Sequence, residues 1–183
     1  MSEFILNNFV DRARDEAVSD KPTSALRELL KESFSERGAM ADAIAAQEED
    51  EVLLYEDENC SIWTCRYNSN VVLPPHEHCM TVHIAVYRGN EVEVLYHRDE
   101  DRLRHAKNRV VAEGDVVSLG PEAIHAVTAE GNGQSHAIHI YEGPLTEVKR
   151  SLFDWTNGGE IEFTMENFQA MMRKRSELEE LQD

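Results

Sequence analysis

Cation is scarce in this sequence relative to acid. Its 18 Lys plus Arg stand against 36 Asp plus Glu in 183 residues, a formal net charge of −18. Phosphate backbones are held by clustered cation, so the deficit argues against nucleic acid as a partner and equally against an anionic membrane surface. Cysteine is rare and odd in number (Cys60, Cys65, Cys79), which excludes a disulfide framework and points to a reducing cytoplasm. No run approaches the roughly 18–20 apolar residues of a spanning helix. The start, MSEFILNNFVDRARDE, has no basic segment followed by a long apolar stretch, so no secretory leader is expected. Internal repeats and low-complexity segments are also lacking. What remains, with 41% hydrophobic residues over this length, is one globular domain.

The chain changes period along its length. From Phe4 to about Gln47 apolar residues recur at helical spacing: Phe4, Ile5, Phe9 and Val10, then Leu26, Leu29, Leu30 and Phe34, then Met40, Ala43, Ile44 and Ala46. Pro22-Thr23 and Gly38 separate these sets, predicting two or three short helices. The acidic run Glu48–Glu51 reads as a solvated connector. From Val52 to Tyr141 the pattern becomes short β-type runs divided by turn residues, as in a sandwich or barrel. Arg98–His105 reads as an exposed loop, with His97 and His105 in solvent. After 145 the helical period returns, with Thr164 as N-cap and Phe168, Met171, Met172, Arg175, Leu178 and Leu181 along one side. The expected organisation is a helical segment over 1–48, a small β-barrel over 49–145 and an extension with a helix over 146–183.

The eight histidines are unevenly spread. In His76-Glu77-His78 the first and third residues of a strand share a face, so the two imidazoles converge while Glu77 points away. Pro74-Pro75 mark the entry to that strand. Farther on, Gly114-Asp115 opens a strand, Gly120-Pro121 turns, and His125 begins the next strand, where it can complete a three-nitrogen site. His139 and Tyr141 share one strand face, with Ile138 and Ile140 on the other, where the N-terminal helices can cover them.

PPHEHCMTVHIAVYRGNEVEVLYHR and GDVVSLGPEAIHAV resemble the two motifs of the cupin superfamily, and HAIHIYEG extends the likeness toward its cysteine-dioxygenase-like members. The resemblance implies a mainly β cupin double-stranded β-helix with N-terminal helices and a C-terminal helix. It also implies Fe(II), or another divalent transition metal, on His76, His78 and His125. Tyr141 would be the hydroxyl beside the metal and His139 the imidazole that holds it, both catalytic. The activity implied is addition of O2 to the sulfur of a small thiol, giving a sulfinate. The alternatives are another metal-dependent cupin enzyme, such as a diketone-type dioxygenase or a lyase, or a non-catalytic cupin that binds a small ligand.

Three positions depart from the family pattern. Where many cupins carry a glutamate ligand stands His83, either a fourth nitrogen donor or a structural imidazole. The serine that supports the His-x-Tyr pair is replaced by Ala137, so the partner orienting His139 must come from elsewhere. The arginine that clamps a substrate carboxylate falls, aligned on Tyr55, at Asp57, which would repel a carboxylate and favour an amine. Arg66 is the nearest alternative cation, with a plain surface role as the competing reading. The acid is expected mainly in the connector after Gln47, in Asp99–Asp101 and in Glu177–Asp183, leaving a site built from neutral histidines.

Overall fold

A computed structural model of the chain describes residues 2–99, 102–178 and 181. Three helices come first: α1 (Ser2–Ala17), α2 (Pro22–Ser33) and α3 (Arg37–Ala45). Proline opens α2, where its fixed φ suits the first turn and its missing N–H costs nothing. Leu26, Leu29, Leu30 and Ser33 then follow at i, i+3, i+4 and i+7 and are the buried face of α2. In α1 the buried set is Leu6, Phe9, Val10, Ala13 and Ala17, while Phe4 is exposed. The stripe is therefore shifted from the expected one, because Leu6 rather than Phe4 lies one turn before Phe9 and Val10. No described helix is long and apolar enough to cross a membrane.

Two antiparallel sheets make up the body. One has the order β1-β2-β9-β4-β7, built from β1 (Glu51–Glu56), β2 (Ser61–Asn68), β9 (Gln134–Tyr141), β4 (Val82–Arg88) and β7 (Val116–Leu119). The other runs β11-β10-β3-β8-β5-β6. Its strands are β11 (Glu160–Glu162), β10 (Ser151–Phe153), β3 (Val71–Glu77), β8 (Ile124–Ala129), β5 (Glu91–Asp99) and β6 (Arg102–Val111), with β12 (Arg173–Lys174) also on β3. This is the expected mainly β double-stranded β-helix with helices at the N-terminus and a short one, α4 (Met165–Met171), near the C-terminus.

Period two assigns the faces. On β9, Ile138 and Ile140 pack with Ile62, Ala85, Tyr87 and the three helices. Ala137 and Tyr141 pack inside with Val82, Ile84 and Val86. The helical layer is also tied by hydrogen bonds: Tyr87 Oη lies 2.7 Å from Ser33 Oγ, which donates to Leu30 O.

Two elements differ from expectation. The charged stretch after His97 is not a loop: β5 continues to Asp99 and β6 starts at Arg102, pairing His97 with Arg104 and Arg98 with Leu103. The side chains of His97 and His105 are nonetheless exposed, while Glu100 and Asp101 lie outside the described residues. The C-terminal helix is capped by Thr164, which accepts from the Asn167 amide, but it ends at Met171. Beyond it, Arg173 and Lys174 pair with Val72 and Val71, and this strand pairing replaces the helical hydrogen bonds that the apolar spacing anticipated. Leu178 and Leu181 still pack into the core; Glu179, Glu180, Gln182 and Asp183 are outside the described residues. The segment after 145 also contributes strands to the barrel sheet, since Leu152 of β10 pairs with His76.

Candidate metal centre

The two prolines of β3 build the site before the histidines do. Neither has an N–H for the ladder, and the register between β3 and β8 slips between Leu73 and His76. Pairing resumes with His76 directly opposite His125. His78, just past the end of β3, turns back to the same side. The three rings sit 4.5 to 5.0 Å apart by centroid. All three are buried, and one nitrogen from each lies within 4.8 Å of the others.

The tautomers of two are set by their other nitrogen. His76 Nδ1 lies 2.8 Å from the Pro74 carbonyl, and His125 Nδ1 meets the Glu93 carboxylate, so each donates an N–H there and keeps Nε2 as a lone pair. His78 Nε2 faces His125 Nε2 at 2.8 Å, two atoms that repel as lone pairs unless a proton or a cation lies between them. Burial pushes His76 and His78 well below the ordinary imidazole pKa, so all their donor capacity is present at neutral pH. This donor set fits a divalent transition metal: three neutral imidazoles, two with fixed tautomers, and no carboxylate in the cluster among the described residues.

The cluster lies at a cavity of about 140 Å³ lined on its apolar side by Trp63, Leu73, Leu145, Phe163, Met165 and Phe168. Tyr141 also lines it, its ring 4.9 Å from that of His78. His139 is buried behind Tyr141, with Nδ1 3.4 Å from the Tyr141 hydroxyl. Burial opposes protonation of His139, and Glu91, with Oε2 3.4 Å from Nε2, favours it.

The other expected site residues are elsewhere. His83 follows the opposite parity on β4 and faces the helices. Its Nδ1 is 2.7 Å from Ser118 Oγ, which accepts from Arg27, and its Nε2 donates to Glu142 at 2.7 Å. Both ring nitrogens are thus occupied away from the cavity, and His83 is a structural imidazole. Tyr55 lies under the Arg14 guanidinium and donates to Asp57 at 2.9 Å. Asp57 itself accepts from the amides of Asn59 and Cys60, which closes the turn after β1. Arg66 is held on the outer face by the carbonyls of Ala45 and Glu49 and by Asp50. None of these four lines the cavity. The objection to a carboxylate substrate drawn from Asp57 therefore falls.

Four residues at the site carried no reading of this kind. Glu91 and Glu93 are fully buried on β5 although they alternate with valines as solvent-facing residues do. Both faces of this strand are covered: Val92 and Val94 pack on one side, and the carboxylates enter the barrel. Glu51 reaches the cavity from the start of β1 and accepts from Tyr67 at 3.4 Å; burial raises its pKa. Arg150, from the extension, stacks its guanidinium over Phe163 at 3.5 Å, and that guanidinium makes no hydrogen bond or ion pair to any described residue. Only the alternation beside a histidine-bearing strand could have flagged the β5 pair.

No protein-family model matches the sequence, and no curated protein matches it. Among solved structures, a double-stranded β-helix protein of the RmlC-like cupin family from Methanocaldococcus jannaschii aligns at 12% identity over 55% of this chain and 88% of its own, with TM-score 0.44. A cupin superfamily protein from Desulfitobacterium hafniense DCB-2 aligns at 17% over 56% and 86%, TM-score 0.44. The DMSP lyase DddQ from Ruegeria pomeroyi DSS-3 aligns at 16% over 52% and 44%, TM-score 0.42, so the chain spans less than half of that enzyme. Likeness at this level carries no argument about chemistry, which rests on the site. The chain is a double-stranded β-helix whose three buried histidines can hold a metal ion.

Proposed function

We propose that this chain is an iron-dependent oxygenase of the thiol dioxygenase type, acting on a small thiol that also bears an anionic group. The observation that carries this reading is the all-imidazole donor set. Three neutral ligands leave the charge of a dication to be met by the substrate, and a thiolate meets it. When bound, Fe(II) supplies neighbouring positions for a thiolate and O2, and overall the two become a sulfinate, sulfur giving up four electrons that O2 takes.

The protein's own groups divide the remaining work. Arg150 binds the anionic group: its guanidinium lines the cavity without a hydrogen-bonded carboxylate partner among the described residues and can form charge-assisted hydrogen bonds to an incoming anion. The apolar wall excludes water and limits the substrate to a few heavy atoms. The Tyr141 hydroxyl donates a hydrogen bond into the cavity. Three free cysteines suit a reducing cytoplasm, where a thiol substrate is also stable.

The test is O2 uptake and sulfinate formation by Fe(II)-loaded protein with thiols carrying a carboxylate, an amine or no charge. Uptake is expected with the carboxylate-bearing thiol, and Arg150→Ala should raise its KM about 10-fold or more, the value of a lost charge-assisted hydrogen bond. Absence of O2 uptake with every thiol, iron being bound, refutes the assignment. Turnover that consumes no O2 would move it to lyase-type chemistry.

A further inference from the structure

A thiol that binds a metal as a thiolate must lose its proton on the way, since free thiols are mostly protonated at neutral pH. The clustered histidines are poor candidates for taking it, because each offers its nitrogen to the metal. His139 also lines the cavity, but its Nδ1 faces the Tyr141 hydroxyl and its Nε2 faces Glu91. Burial keeps the Tyr67 and Tyr141 phenols and the Cys65 thiol in their protonated forms.

Glu51 is the one carboxylate among the described residues that lines this cavity. It opens β1 at the protein surface, and its Oε1 accepts from the Tyr67 hydroxyl at 3.4 Å. Its Oε2 accepts no hydrogen bond from a described residue. A second cavity, of about 210 Å³, shares Glu51, Tyr67 and Leu73 with the first. The residue thus stands between the metal cavity and the exterior. The ionisable groups around it are Asp50, Cys65, Tyr67, His139, Tyr141 and Arg150. Arg150 shares the cavity wall with Glu51 but makes no ion pair with it.

We propose that Glu51 is a catalytic residue: its carboxylate takes the proton of the substrate thiol as sulfur meets the metal, and keeps it while the thiolate is bound. The S–H bond breaks, its electron pair stays on sulfur, and an O–H bond forms on Glu51. This rests on the reading of the substrate as a small thiol with an anionic group. A cavity of about 140 Å³ holds only a few heavy atoms, so a carboxylate on its wall is within reach of a ligand inside. A thiolate and a carboxylate enclosed together repel, and a proton on Glu51 removes that repulsion. The transfer also leaves the net charge of the cavity unchanged by the loss of the thiol proton.

The test counts protons in zinc-loaded protein, where no oxidation competes. Mercaptoacetate, a small thiol with a carboxylate, is titrated calorimetrically at about pH 7 in two buffers of different ionisation enthalpy, with circular dichroism to verify the fold. Wild type should release almost no proton per thiol bound, and Glu51→Gln about one. Between about pH 6 and 8 the wild-type affinity should therefore stay flat, while that of Glu51→Gln rises about 10-fold per pH unit, as the release of one proton requires. Glu51→Ala should behave as Glu51→Gln does, and it carries the test should the amide fail to fold. Equal proton release by wild type and the variants overturns the proposal and leaves the thiol proton to solvent. A wild type that binds no mercaptoacetate refutes the thiol reading of the site, and this proposal with it.

Discussion

Glu93 is the residue whose removal should weaken metal binding most without touching a ligand. It is fully buried, its carboxylate's single hydrogen-bond partner among the described residues is His125 Nδ1, and the second oxygen has none there. Outer partners of this kind are worth about 10- to 100-fold in metal affinity, or roughly 1.4 to 2.7 kcal/mol at about 1.36 kcal/mol per decade. Glu93→Gln keeps an oxygen that can accept the Nδ1 proton and loses only the charge, so it should sit near the 10-fold end. Glu93→Leu also strands a buried N–H, which costs about 1–3 kcal/mol, and should reach 100-fold. The assay is competition for Zn(II) or Co(II) against a chromophoric chelator, with circular dichroism to verify the fold. His83→Gln is the control, because that ring faces the helices and should leave affinity unchanged. A Glu93→Leu protein that is folded and binds metal as tightly as wild type would refute the idea that this carboxylate sets the tautomer and basicity of His125.

Metal removal should destabilise the protein as a whole: ligand at about 100 times its Kd contributes about 2.7 kcal/mol, which in a chain of this size is about 5–11 °C in Tm, readable by calorimetry with and without chelator. His83 is held below its ordinary pKa by burial, despite Glu142. Below about pH 6.5 the unfolded chain therefore takes up a proton that the folded one refuses, and stability falls as pH falls. Between pH 6.5 and 5.5 this contribution is up to about 1 kcal/mol, and denaturant titrations at the two pH values should show wild type losing that much more than His83→Gln. Gly89→Ala should be strongly destabilising, since φ is +69° and the new Cβ would lie 2.5 Å from the Gln134 carbonyl oxygen; a melting temperature equal to wild type would contradict that geometry. Thr164→Ala should cost about 1 kcal/mol by loss of the α4 cap, measurable as a shift in the denaturant midpoint.

How much of this was legible follows from what local pattern encodes. Parity along a strand placed His76 with His78, His139 with Tyr141, and Ile138 with Ile140 on the helix side. The turn residues located the hairpin that delivers His125. Parity failed on β5 for a physical reason: alternation of Glu and Val means a wet face only when one face is wet. Where both faces of a strand are covered the second face is interior, and Glu91 and Glu93 mark it as polar. His83 stayed open between ligand and structural imidazole because the family resemblance aligns it with a ligand position, while its own parity on β4 sends it outward to Ser118 and Glu142. Arg150 was invisible because no period links it to the barrel. It arrives through the loop before β10, whose pairing with His76 is a tertiary fact.

Those buried carboxylates change the meaning of the net charge. Excess acid on a surface maintains solubility, but Glu91 and Glu93 lie beside the three-histidine cluster at full burial. Buried charge persists only when it is balanced. Glu93 meets His125, and Glu91 lies 3.4 Å from His139. Arg150 brings a guanidinium to the same cavity, which Glu51 also lines. Under the proposed function a thiol with a second, anionic group would meet Arg150, whereas an uncharged thiol would satisfy only the apolar wall. Part of the acid that the composition counts is therefore interior, beside the histidines, and not on the surface.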